Sequence, residues 1–137
     1  MSSVFTKILR GDIPSYKIAE DDLFYAFLDI NPFSLGHTLV IPKQEIDYLF
    51  DIDDELYGKL MMFTKKVALA INASLSCHRV GILVQGTEVP HAHIHLIPFY
   101  TPNGEEIFGK RKVKLNSDEF VKVQDTISNK FSILFGK

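Results

Sequence analysis

The sequence predicts an α+β domain: an antiparallel sheet with helices set apart from it. Three observations lead there. Residues 91–97 alternate strictly between histidine and apolar side chains, which is the period of a half-buried strand. Two longer stretches, 53–74 and from Ser117 onward, repeat their apolar residues at helical spacing instead. The segments between are short and apolar and break at Asn31-Pro32, Gly36, Pro42 and Pro98, which suits strands joined by hairpins.

Taken in order, residues 3–10 carry apolar side chains at helical spacing and stop at Gly11, a C-terminal breaker, so a short first helix is expected. Leu23 to Ile30 reads as a strand, followed by a turn through Ser34-Leu35-Gly36. His37 to Ile41 reads as its hairpin partner, ended by Pro42. Asp51, Asp53, Asp54 and Glu55 then cluster at a helix start, where negative charge offsets the exposed amide dipoles. The helix places Leu56, Leu60, Phe63, Val67 and Ile71 on one stripe. Met61, Met62 and Ala68 widen its apolar face, which suits a core or a subunit interface. Val80 to Val84 is a further strand, and Gly86 to Pro90 links it tightly to the histidine strand, which Pro98 ends. Residues 99–115 look irregular, with a turn at Pro102-Asn103-Gly104. In the last helix Phe120, Val123, Ile127, Phe131 and Leu134 share a face.

With 137 residues, one domain over 1–137 is expected, large enough to bury a core without disulfides. A formal net charge of −2 gives no electrostatic case for nucleic acid. The cluster Lys110-Arg111-Lys112 with Lys114 is short and reads as a solvated edge. Cys77 is alone, which rules out a disulfide framework within the chain and a cysteine-rich zinc site. No apolar run approaches a membrane span and the start lacks a signal-peptide pattern, so a cytoplasmic protein is expected.

Three of the five histidines, His91, His93 and His95, fall within five positions. On a strand, neighbouring imidazoles would start roughly 6.6 Å apart. That spacing suits groups along a phosphate chain or a set of metal ligands. Imidazole titrates near neutrality, so such a row can supply nucleophile, base and cation together.

The run His91-x-His93-x-His95 ending in Leu96-Ile97-Pro98 resembles the histidine triad (HIT) family of nucleotide hydrolases and transferases. Phe5-x-Lys7-Ile8, Gly11-Asp12-Ile13-Pro14, residues 26–32 (AFLDINP) and residues 36–43 (GHTLVIPK) resemble the family in the same order. The likeness spans roughly residues 3–98, leaves 99–137 as an extension, and is greatest to the Hint branch of nucleoside phosphoramidases and its bacterial relatives. It implies a homodimer that holds a purine nucleotide, AMP- or GMP-like, and needs no cofactor. It also implies that His93 is the nucleophile at the α-phosphorus and that His95 binds and neutralises phosphate. His91 and His37 would orient the nucleophile, Asp29 would take the ribose hydroxyls, and Phe5, Ile8, Phe27 and Ile30 would hold the base. Residue types agree: a neutral imidazole is a competent nucleophile when its other nitrogen is hydrogen-bonded, and a neighbouring imidazolium would stabilise phosphoryl charge. Asp29 could instead cap the loop before Asn31-Pro32, and the four apolar residues could simply be core.

The sequence departs from the family in two places. Gly86 fits the phosphate loop, but Thr87 stands where glutamine is usual, leaving it a weak phosphate contact. Glu88 stands where the animal enzymes have serine, and reads as a solvated turn residue. Many bacterial relatives hold zinc with two cysteines and a histidine at positions that here are Ser3, Thr6 and Glu45, so that metal site is expected to be absent. Three alternatives stay open: a dinucleoside polyphosphate hydrolase, a three-histidine zinc hydrolase, and a nucleotide-binding adaptor with little turnover.

Overall fold

The structure is a computed structural model that describes residues 2–108 and 112–136. Five antiparallel strands form one sheet in the order β1-β2-β3-β5-β4. They are β1 (Lys17–Glu20), β2 (Phe24–Leu28), β3 (Thr38–Pro42), β4 (Arg79–Leu83) and β5 (Ile94–Phe99). Helices α1 (Val4–Leu9), α2 (Asp54–Ser74) and α3 (Ser117–Phe135) complete the α+β arrangement. Short 3-10 turns at Leu49–Asp51 and Glu105–Ile107 lie in the connections.

The alternation of strand side chains sorts the molecule into two apolar layers. Ile18, Phe24, Ala26, Leu28, Val40, Ile94 and Leu96 face α2 and α3. Phe5, Tyr25, Phe27, Leu39 and Ile41 form a smaller cluster on the opposite face, where α1 packs. Burying each large side chain of the helix layer contributes about 1.5–3 kcal/mol. Phe63 and Phe131 join α2 to α3, and Tyr16 stacks on Phe120 with centroids 4.8 Å apart, tying α3 to the start of β1. The cap of α2 is Asp53, which accepts from Leu56 N–H, and α3 opens on a capping box between Asn116 and Glu119.

β1 has no counterpart in the sequence reading. A register shift between Lys17 and Ala19 leaves Ile18 and Ala19 both buried, so no alternation exists to be read. The histidine strand also differs. It begins at Ile94 rather than His91, because β3 reaches Pro42, which has no N–H to offer, and its carbonyl accepts from the His91 ring. Pro98 does not end it. The ladder with β3 stops at Thr38↔Leu96, and beyond that point the Pro98 carbonyl accepts from Ser34 Oγ, so no ladder bond is lost. Lys110 and Arg111 of the basic cluster lie outside the described residues. Among the described residues, no helix is long and apolar enough to cross a membrane.

Candidate active site

His95 lies opposite Leu39 on β3, so it shares the α1 face of the sheet with Leu39 and Phe27. His37 sits one residue before β3 and is delivered to that face by a tight turn. Gly36 there has φ +93, and a Cβ on it would meet Leu75 Cδ1 at 2.5 Å. His91 and His93 come from the extended segment ahead of β5, which is held by Ala92 N–H donating to Ile46 O at 2.7 Å.

The ring hydrogen bonds fix the protons. Phe33 N–H donates to His37 Nδ1 at 3.0 Å, so the neutral ring carries its proton on Nε2 and donates it to His95 Nδ1 at 2.9 Å. His95 is therefore left with Nε2–H. His93 donates Nδ1–H to the His91 carbonyl at 2.8 Å, which in the neutral ring leaves Nε2 as a lone pair. Its ring meets His95 edge-on, with centroids 5.1 Å apart. A lone pair and an N–H donor thus stand side by side.

Burial pushes both His37 and His95 down to about 4, more strongly than nearby Asp29 pushes them up. Lys112 also lowers both. It lies 3.7 Å over the Phe33 ring, which is stacked on His37, and donates to Asn31 O at 3.3 Å. This corrects one expectation: the free protein holds a neutral imidazole, not an imidazolium, beside His93. Lys112 is exposed, as a solvated edge requires, and also stands near the site; Val113 N–H donates to Pro32 O beside it.

Beside these rings is a cavity of about 280 Å³ with largely apolar walls. His93 and His95 line it, as do all the other cavity-side candidates: Phe5, Ile8, Phe27, Asp29, Ile30, Gly86 and Thr87. Phe5 is buried and packs edge-on against His93, so it is a wall of that ring as much as of the cavity. Ile30 is 67% exposed and forms the rim. Asp29 does both things weighed for it: Oδ1 accepts from Asn31 N–H at 2.8 Å and caps the loop, while Oδ2 stays near the cavity, 3.6 Å from His37 Nε2. Thr87 Oγ1 accepts from Gln85 Nε2, and exposed Glu88 also lines the rim, closer to the site than a plain turn residue.

His91 and His37 stand behind the cavity. His91 is fully buried, with Nε2–H donating to Pro42 O and Nδ1 accepting from Ser3 Oγ, both at 2.8 Å. Its nitrogens are spent away from His93 and His95, so the three triad rings do not converge as a three-histidine zinc set. Asp29, His37 and His95 do bring ligand atoms within 4.8 Å of one another, but the two nitrogens share a hydrogen bond.

A HIT domain family model matches residues 10–101. The chain belongs to the histidine triad family. Of its relatives, the adenosine 5′-monophosphoramidase of Schizosaccharomyces pombe is 43% identical over 108 residues, 77% of this chain and 78% of that one. Among solved HIT structures, a hypothetical histidine triad nucleotide-binding protein from Sulfolobus tokodaii strain7 superposes with TM-score 0.86 at 28% identity, covering 98% of this chain and 97% of that one. A zinc-bound histidine triad family protein from Mycobacterium smegmatis gives TM-score 0.82 at 29% identity, covering 98% and 96%. In this HIT chain Ser3, Thr6 and Glu45 meet His91, but two hydroxyls, a carboxylate and one imidazole, hydrogen-bonded to one another, do not fit zinc, which favours thiolate and imidazole.

Proposed function

We propose that the protein is a metal-independent nucleotide hydrolase or nucleotidyl transferase acting at the α-phosphate of purine nucleotide conjugates of phosphoramidate type. The observation that carries this reading is the His93–His95 pair at the cavity, one ring offering an Nε2 lone pair and the other an Nε2–H. His93 Nε2 attacks the α-phosphorus and forms a P–N bond. The bond to the leaving amine breaks, its electron pair departs with the amine, and the amine takes up a proton from solvent water. A second water then attacks phosphorus, gives up a proton to solvent and displaces His93, whose Nε2 recovers its lone pair. One difficult displacement thus becomes two easier ones. His95 Nε2–H donates to a phosphoryl oxygen where charge builds up. Asp29 Oδ2, an acceptor, suits a ribose hydroxyl, and Phe5, Ile8, Phe27 and Ile30 offer an apolar bed for the base. Gly86 and Thr87 suit the phosphate side. The activity named for the fission-yeast relative supports this chemistry.

The reading includes one domain over 1–137 with 99–137 as its extension, supported by the packing of α3 on α2 and β1. It also includes a cytoplasmic homodimer, with no role for nucleic acid or membrane. The dimer is supported by exposed apolar residues on the β4 edge and beside it: Ile82, Val84 and Phe50, with Met62 exposed elsewhere on α2. Met61 lies in the groove next to Ile82, while Ala68 packs against the core.

The test is AMP release from an adenosine phosphoramidate in EDTA, with His93→Ala beside the wild type. Release by the wild type alone supports transfer through His93. Nucleotide binding without turnover in both favours the adaptor, and cleavage confined to a dinucleoside polyphosphate favours that hydrolase.

A further inference from the structure

We infer that Ser3 and Glu45 are positioning residues for His93, acting through His91 by a hydrogen-bonded cluster that joins the start of α1 to the segment ahead of β5. The inference rests on His93 being the nucleophile proposed above.

The cluster joins three separate segments. Ser3 is the N-cap of α1, Glu45 follows β3, and His91 lies ahead of β5. Glu45 Oε1 accepts from Ser3 N–H at 2.8 Å and from Thr6 Oγ1–H at 2.5 Å. These two donors, the Ser3 amide first, hold the Glu45 carboxyl down to about 2. The Pro42 carbonyl can only accept, so the neutral His91 ring carries its proton on Nε2 and Nδ1 accepts from the Ser3 hydroxyl. Thr6 Oγ1, whose proton goes to Glu45, is a second and longer neighbour of Ser3 Oγ at 3.3 Å. Both ring nitrogens are thereby engaged, and Ser3 and His91 are 4% and 0% exposed.

What this fixes is the backbone of residue 91, whose carbonyl takes Nδ1–H of His93. The order is Glu45, Ser3, His91 ring, His91 carbonyl, His93. Without the Ser3 hydroxyl, His91 Nδ1 would be a buried acceptor without its donor and the ring would be held by Pro42 O alone. The carbonyl that orients His93 would then lose one of its anchors and keep the backbone bonds of His91 N–H to Val89 O and Ala92 N–H to Ile46 O.

The experiment compares wild type, Ser3→Ala, Ser3→Thr and Glu45→Gln for phosphoramidate turnover, and reads the histidine tautomers by long-range ¹H–¹⁵N NMR. The wild type is expected to show His91 with Nε2–H and His93 with Nδ1–H. Ser3→Ala should shift the ring ¹⁵N resonances of His91, through the lost bond to Nδ1, and of His93, through its loosened carbonyl partner, and lower kcat about tenfold with KM nearly unchanged, while Ser3→Thr restores both. Glu45 is exposed, so Glu45→Gln folds even if Ser3→Ala does not, and it should move both readouts the same way by less. Folded variants with a wild-type His93 ring signal and kcat, altered only in Tm, would make the cluster a plain helix cap and overturn the inference. If no protein, wild type included, turns over the phosphoramidate, the proposed activity fails while the NMR comparison still decides the positioning role.

Discussion

His37 Nε2 lies 2.9 Å from His95 Nδ1, and the amide of Phe33 on the far side of His37 decides which ring owns the proton between them. The pair is neutral because it is buried, so its contribution is a directed N–H rather than a positive charge. That directed donor matters because the neighbouring His93 has its donor side turned to the His91 carbonyl. One ring can attack while the other receives developing negative charge.

The same burial makes stability depend on pH. Both rings titrate near 6.5 in the unfolded chain and near 4 in the folded protein. Between those values the unfolded state binds more protons, so stability is full above about 6.5 and falls as pH drops toward 4. The slope is about 1.4 kcal/mol per pH unit for each ring that protonates only on unfolding. Carboxylates held low in the fold, such as Glu20 and Glu106, add their loss below about 4.5. Urea unfolding at pH 7.5, 6 and 5 measures the histidine window. His95→Asn should remove about one ring's share of the slope and leave that of His37 and of buried His91, whose pKa is also lowered. A free energy constant across that window in the wild type would contradict the assigned neutral pair.

Much of this was readable from the chain, for identifiable reasons. Ile94 and Leu96 alternate with His95, so one strand period both built the core and aimed a histidine at the cavity. The stripes of α2 and α3 were legible because 19–21 residues give helical spacing room to repeat. Illegible features depended on partners distant in sequence. The Ser3–His91 bond spans 88 positions, and only the closed fold brings Lys112 against Phe33. β1 was hidden by its bulge. The short reach of the histidine strand was hidden too, because it depends on Pro42 of its neighbour.

The β4 edge offers a direct test of assembly. Ile82 is 56% exposed on an unpaired edge strand, so replacing it disturbs little inside the protomer. Lys is a residue that natural edges use to discourage pairing. Ile82→Lys is expected to keep the Tm within a few degrees and convert a dimer to a monomer by light scattering after gel filtration. A monomeric wild type at tens of micromolar would remove the dimer from the proposed function.

Leaving-group preference can be argued from the charges around the cavity. Among the described residues that line it, the charged side chains are Asp29 and Glu88, both carboxylates, while Lys112 lies outside the lining and reaches His95 from beside Phe33. A dinucleoside polyphosphate brings several negative charges into that setting, whereas a phosphoramidate of a neutral or cationic amine brings one. Glu88 sits on the rim within electrostatic range of His95, where, on the function proposed above, the leaving group would emerge from the cavity. Exposed charge is screened, so the effect is modest and falls with salt. Glu88→Gln is therefore expected to raise kcat/KM for a dinucleoside polyphosphate by roughly three- to tenfold at low ionic strength. A neutral-amine phosphoramidate should change by less than twofold, and a cationic-amine one should lose rate. Equal changes for all three substrates would mean that Glu88 does not sense the leaving group. Any preference among these substrates would then have to come from the shape of the cavity rather than its charge.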